Sequence, residues 1–180
     1  MEYSVISIVG PDSMGIMETI AKAIAGFGAN IEETRASILG GEFAVIMLVQ
    51  GEDESREGIK AALTEALEGR GMAVAVRATV GKARGTGIPY LIETISLDTP
   101  GIVRAVTAVL LEQALNIENL ECAVASAPLS GSPMFTMRIA VSVAPGLKLA
   151  ALKAELAKAA ELHDLDISVR PLKIADGDRE

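Results

Sequence analysis

The first half of the chain alternates between two hydrophobic patterns. A short apolar run over residues 3–9 predicts a strand, and Pro11 ends it. Apolar residues then recur every three or four positions, as on one face of a helix, at Ile16, Ile20, Ile24 and Phe27. The runs 31–39 and 43–49 flank Gly40-Gly41, which predicts two strands joined by a two-residue hairpin turn.

The same half ends with a second helical pattern and a fourth strand. Residues 54–68 carry apolar side chains at helical spacing, and Met72, Val74 and Val76 alternate with alanines as in a strand. The resulting order is β-α-β-β-α-β. This order predicts an α+β fold in which a four-stranded antiparallel sheet carries two helices on one face. The other face of the sheet would meet another sheet, another helix or water.

The second half of the chain repeats the first. With a shift of 86 residues, Asp12-Ser13-Met14-Gly15-Ile16 aligns with Asp98-Thr99-Pro100-Gly101-Ile102, and Asn30-Ile31 aligns with Asn116-Ile117. Six of the 21 positions from Asp12 to Glu32 are identical under this shift. Two similar domains are therefore predicted. The predicted boundaries are domain 1 at 1–80, a linker at 81–89, domain 2 at 90–174 and a tail at 175–180.

Composition removes several classes of function. The chain has 180 residues and a net charge of −8, with Cys122 and His163 as its sole cysteine and histidine. One cysteine forms no internal disulfide and suits a reducing cytosol. One histidine argues against a catalytic triad or a histidine-rich metal centre. The acidic charge argues against direct binding to nucleic acid. No apolar run approaches the ~20 residues of a membrane span, so insertion into a membrane is not expected either.

These two residues also have ordinary structural interpretations. Cys122 falls within an apolar strand pattern, which predicts a small core residue rather than a nucleophile. His163 follows an Ala- and Leu-rich helical pattern and is predicted at the surface near the end of that helix.

The repeated strand-to-helix loop is the most informative segment for function. Ser13 and Thr99 are expected to cap the following helices, with Gly15 and Gly101 in the first helical turn. Free backbone N–H groups at a helix start attract a carboxylate, and Asp12 or Asp98 could receive an ammonium group. That combination suits an amino acid. The alternative is an ordinary capped turn, and Asn30 and Asn116 are equally ambiguous between a left-handed backbone position and a ligand contact.

The repeated motif and the helix and Asn-Ile pair that follow it resemble the signature of ACT domains, in tandem over nearly the whole chain. The resemblance implies two ferredoxin-like domains that sense a small amino acid, with glycine or serine favoured, and that form a homodimer. Among tandem forms, the chain is similar to repressor-like proteins, which implies a protein partner such as a DNA-binding regulator, and no cofactor. The implied ligand-binding positions are Asp12, Ser13, Met14, Gly15, Ile16, Asn30, Ile31, Asp98, Thr99, Pro100, Gly101, Ile102, Asn116 and Ile117.

Three functional hypotheses follow, in order of preference. The first is a cytoplasmic amino-acid-responsive regulator that changes the activity of a partner. The second is an interaction or dimerisation module without a ligand, or a regulatory subunit of a metabolic enzyme. An enzyme ranks last, because the sole histidine lies outside both repeated loops.

Overall fold

The computed structural model describes residues 2–81, 87–127, 131–144, 146 and 149–172. The chain divides into two compact units, residues 1–83 and 84–180. Residues 82–86 of the predicted linker and the predicted tail at 175–180 lie outside the described residues.

The first unit contains four strands and two helices in its described residues. Their bounds are β1 Glu2–Pro11, α1 Ile16–Ala25, β2 Asn30–Leu39, β3 Glu42–Gly51, α2 Ser55–Ala66 and β4 Ala73–Thr79. The strands form one antiparallel sheet in the order β2-β3-β1-β4. Gly40 and Gly41 join β2 to β3 with φ angles of 60° and 86°. Both angles are positive, as a tight two-residue hairpin requires, so the predicted turn is confirmed.

The second unit has the same topology. Its described elements are β5 Ile88–Leu97, α3 Ile102–Glu112, β6 Ile117–Ser126, β7 Pro133–Val143, α4 Leu149–His163 and β8 Asp166–Pro171. The sheet order is β6-β7-β5-β8, again antiparallel. The predicted fold class, two α+β domains of ferredoxin-like topology, is confirmed. Exposed His163 is the last residue of α4, as predicted.

Each unit has its own hydrophobic core between the helices and one face of the sheet. In α1 the predicted face is buried at Ile16, Ile20 and Ile24. The fourth predicted member, Phe27, is 42% exposed. It lies beyond the end of α1, and its ring occupies the space beside Gly58 of α2, where a Cβ would approach ring atom Cε1 to 2.5 Å. Gly58 thus lets the aromatic ring pack directly on the α2 backbone.

Arg56 links the beginning of β1 to the beginning of α2 through hydrogen bonds and ion pairs. The Arg56 guanidinium donates to the Glu2 carboxylate at 3.0 Å and to the Asp53 carboxylate at 2.6 Å. Its Nε also donates to the Ser4 hydroxyl at 3.2 Å. The Arg56 side chain is 21% exposed, so its aliphatic part packs on the protein while its charge is shared between two partners.

The edge strands β2 and β6 are open to solvent on both faces over most of their length. Cys122 of β6 is exposed, so its predicted burial is wrong. It pairs with the buried Met137 of β7 and points to the helix side of the sheet, but the helices do not cover this edge strand. Partial burial nevertheless raises the pKa of the Cys122 thiol.

Candidate ligand-binding loops

Each repeated loop is attached to the neighbouring hairpin by one backbone hydrogen bond. The Asp12 N–H donates to the Gly41 carbonyl at 2.9 Å, and the Asp98 N–H donates to the Pro133 carbonyl at 3.0 Å. Asp12 to Gly15 are exposed, as are Asp98 to Gly101. The loops therefore have a fixed path while their side chains remain accessible to a ligand.

The helix caps differ from those predicted. The N-cap of α1 is Gly15 and that of α3 is Gly101, so the predicted caps Ser13 and Thr99 are wrong. Both glycines have left-handed backbones, with φ of 84° and 100°. Because a left-handed conformation strains a residue that has a Cβ, it selects glycine at the cap over the better hydrogen-bonding Ser and Thr. Consequently, Met14 and Pro100 lie in the turn before the helix rather than at its first position.

Among the described residues, no side chain caps either helix. The backbone N–H groups of the first helical turn are therefore available at each loop, beginning with those of Ile16 and Ile102. The side chains of these two isoleucines are each 2% exposed and belong to the cores. Of the predicted ligand-binding positions, Ile16 and Ile102 can therefore offer a ligand only their backbone.

The two loops differ in charge and in hydrogen bonding. Glu18 lies in the first turn of α1, whereas the aligned residue in α3 is Arg104, and α3 has no acidic residue in its first turn. Thr19 of α1 donates its hydroxyl to the Gly15 carbonyl at 2.9 Å, and the aligned residue in α3 is Ala105. An anion is therefore favoured more strongly at the start of α3, where the helix dipole and Arg104 act together.

The two predicted asparagines are not brought to these loops within their own domains. Asn30 pairs with Gln50 at one end of β3, whereas Asp12 contacts Gly41 beyond the other end. The eight residue steps from Glu42 to Gln50 span about 27 Å at ~3.4 Å per residue. Asn30 instead donates to the Glu32 carboxylate at 2.7 Å.

The second domain has the same separation between its loop and the start of its second strand. Exposed Asn116 precedes β6, and the adjacent Ile117 pairs with Val141 near the far end of β7. Ile31 and Ile117 are half-buried against their cores. Within one domain, the structure thus gathers the loop residues and leaves the Asn-Ile pair at the opposite end of the sheet.

The hairpin ends are the neighbours that the sequence patterns do not identify. Gly41 and Pro133 hold the two loops, and Leu39, 75% exposed, lies beside the first of these contacts at the end of β2. The Gly40-Gly41 turn is visible in the sequence, but its position beside Asp12 follows only from the strand register. Each candidate site is thus a loop, a helix start and a hairpin end.

Across the described ranges, no group of three or more His, Cys, Asp or Glu side chains is placed to hold a metal ion. None of the helices in the described part of the chain is long and apolar enough to cross a membrane.

The duplicated topology and the paired glycine-capped helix starts define a tandem ferredoxin-like α+β protein. Residues 2–77 match the model of the ACT domain. The first domain belongs to the ACT domain family, and the second domain repeats its topology.

Two solved structures are similar over almost the whole chain. The crystal structure of an unknown protein from Galdieria sulphuraria is 30% identical, with a TM-score of 0.85, over 96% of this chain and 99% of that one. A crystal structure proposed to be a glycine cleavage system transcriptional repressor is 21% identical, with a TM-score of 0.71, over 96% of this chain and 98% of that one. The second likeness is one of fold.

A curated relative shares a shorter segment. The glycine cleavage system transcriptional repressor of Escherichia coli (strain K12) is 45% identical over 49 residues, which are 27% of this chain. The match spans about a quarter of that relative's length, 26%. The two solved structures agree with the tandem fold of this chain.

Proposed function

We propose that the protein is an amino-acid-responsive regulator that binds a small amino acid at its strand-to-helix loops and changes the activity of a protein partner. The observation that carries the proposal is the uncapped helix start beside an exposed aspartate, present once in each domain. Free amides favour a carboxylate, and Asp12 or Asp98 offers a partner for an ammonium group.

The second loop is proposed as the stronger site. Arg104 adds a positive charge at the start of α3, whereas Glu18 adds a negative one at the start of α1. At exposed sites, such charges change the binding of an anion by about 0.3–1 kcal/mol each. The difference of two charges between the loops therefore predicts a several-fold preference of a carboxylate for the second domain.

A protein partner is proposed because the net charge of the chain is −8. This charge disfavours the phosphate contacts that dominate DNA affinity. Similarity to a transcriptional repressor supports a DNA-binding regulator as the partner. The exposed edge strands β2 and β6 leave unpaired backbone groups that a second copy could satisfy, which supports a homodimer. The ligand would act by binding one assembly more tightly than another.

The test is isothermal titration of the full chain with glycine, serine and a panel of larger amino acids. We expect saturable binding, weakened by Arg104→Glu and strengthened by the matched change Glu18→Arg. The pair exchanges the charges of two exposed helix starts and leaves both cores unchanged. If no amino acid binds at millimolar concentration, the sensor proposal is wrong and a ligand-independent interaction module takes its place.

A further inference from the structure

The second domain has a groove that is separate from the loops. It lies between α4 and β8 and has a volume of about 450 Å³. The apolar side chains that form its floor are those of Leu156, Ala160, Leu165, Ile167 and Val169. This volume is within the range of small-molecule sites. Strands β8 and β6 are the two edges of this sheet, so the groove lies at the opposite edge from β6.

At one position along the groove, the second domain has a smaller apolar side chain than the first. Leu152, Leu156 and Ala160 of α4 follow the same spacing as Ile59, Leu63 and Leu67 of the first domain. Leu67 is 2% exposed in its core, whereas its counterpart Ala160 is only partly buried and lines the groove. Replacing leucine by alanine at a helix-sheet contact leaves space that its neighbours fill incompletely.

A buried hydroxyl lies on the strand beside the groove. Thr94 of β5 is 1% exposed, and its Oγ1 has no hydrogen-bond partner among the described residues. It pairs in register with Ile167 of the floor, and its counterpart in the first domain is the core residue Ile8. A buried hydroxyl without a partner is unfavourable, so this part of the core is less completely satisfied than its counterpart.

The two ends of the groove carry opposite charges. Lys153 lines one end, and Glu161 and Asp166 line the other. The eight residue steps from Lys153 to Glu161 span about 12 Å of helix. None of these three side chains forms an ion pair with another described residue. The surface is therefore complementary to an elongated molecule with an anion at one end, an aliphatic stem and a cation at the other end.

We propose that this groove binds a linear aliphatic ω-amino acid, with its carboxylate at Lys153 and its ammonium at Glu161 and Asp166. The aliphatic stem lies on Leu156, Ile167 and Val169. This site goes beyond the loop site of the proposed function and uses different residues, so either site can exist without the other.

The test is a titration of the isotope-labelled full chain with 6-aminohexanoate, followed by NMR of the backbone amides. We expect saturable shifts at Ile167 and Val169 and none at Asp98 to Gly101. Hexanoate and hexylamine each lack one charge and should bind about fivefold more weakly, since an exposed ion pair contributes up to ~1 kcal/mol.

Two variants locate the site. Ala160→Leu installs the side chain that the first domain has at this position and should abolish the shifts without loss of the fold. Lys153→Met should weaken 6-aminohexanoate about fivefold, while the matched change Lys60→Met on α2 should leave its affinity unchanged. Absence of saturable shifts at millimolar 6-aminohexanoate, or shifts that survive Ala160→Leu, would overturn the proposal. Equal affinity for hexanoate would overturn the role of the acidic end.

Discussion

The left-handed cap glycines provide the most direct test of the loop geometry. Gly15 has φ of 84° and Gly101 has φ of 100°, and a Cβ built on either one meets no atom within 4 Å. Substitution by alanine therefore creates no steric clash. It changes only the backbone preference, because the left-handed region disfavours a residue with a Cβ.

The magnitude follows from two opposing terms. Holding alanine in the left-handed region costs about 1–2 kcal/mol. Alanine also restricts the unfolded chain relative to glycine, which returns about 0.4–1 kcal/mol. The net loss in unfolding free energy for Gly15→Ala or Gly101→Ala is therefore about 1 kcal/mol. For a domain of this size, that loss corresponds to a decrease in Tm of roughly 4–8 °C.

The assay is urea denaturation of the full chain, with Gly15→Ala, Gly15→Asn, Gly101→Ala and Gly101→Asn compared with the parent. Asparagine is the matched control because it enters the left-handed region more readily than other non-glycine residues. Each asparagine variant should be more stable than its alanine counterpart. If alanine and asparagine are equally tolerated, or alanine is stabilising, the left-handed caps are not maintained in solution and the argument for an open helix start fails.

Three further substitutions test the packing and charge of the described residues. Gly58→Ala should raise the unfolding free energy by about 1 kcal/mol, through helix propensity, only in a Phe27→Ala background that lacks the ring. A double-mutant cycle of unfolding free energies measures this, and equal effects in both backgrounds would contradict the contact. Arg56→Met should cost about 1 kcal/mol at low salt and less in 1 M NaCl, and a salt-independent loss would show that charge is unimportant there. The hydrogen bond from Arg170 lowers the pKa of Glu93. The parent should therefore be more stable than Glu93→Gln above the ordinary glutamate pKa of 4.5, and this advantage should disappear as the pH falls through the lowered pKa. A difference in urea midpoint that does not change with pH would contradict this.

The helix faces were predictable from sequence because burial imposes a regular spacing. Ile102, Val106 and Leu110 recur at intervals of four and are all buried in the second core. The hairpin was predictable for a similar reason, since two adjacent glycines permit the two positive φ angles that the turn needs. In each case, one local rule decides the structure.

The caps and the edge strands were not predictable from local rules. By propensity, Ser13 is a better cap than glycine. The helix nevertheless begins after the left-handed Gly15, and the backbone of the preceding Asp12 is hydrogen-bonded to Gly41 of the hairpin. Cys122 lies in an apolar pattern, yet it is exposed because β6 is at the edge of its sheet. Both outcomes depend on which strands are neighbours, and that information is spread over the whole domain.

The duplication separates the positions that maintain the fold from those that determine the chemistry of each copy. Ile16 and Ile102 occupy the same buried place in their domains, because either core requires an apolar side chain there. At the helix starts, Glu18 and Arg104 differ by two charges without any effect on the buried residues. At the α4 groove, Ala160 occupies the position that the larger Leu67 has in the first domain, and its small side chain lines the groove. Since function depends on such sites rather than on the shared topology, the two domains are expected to differ in ligand affinity even though they fold alike.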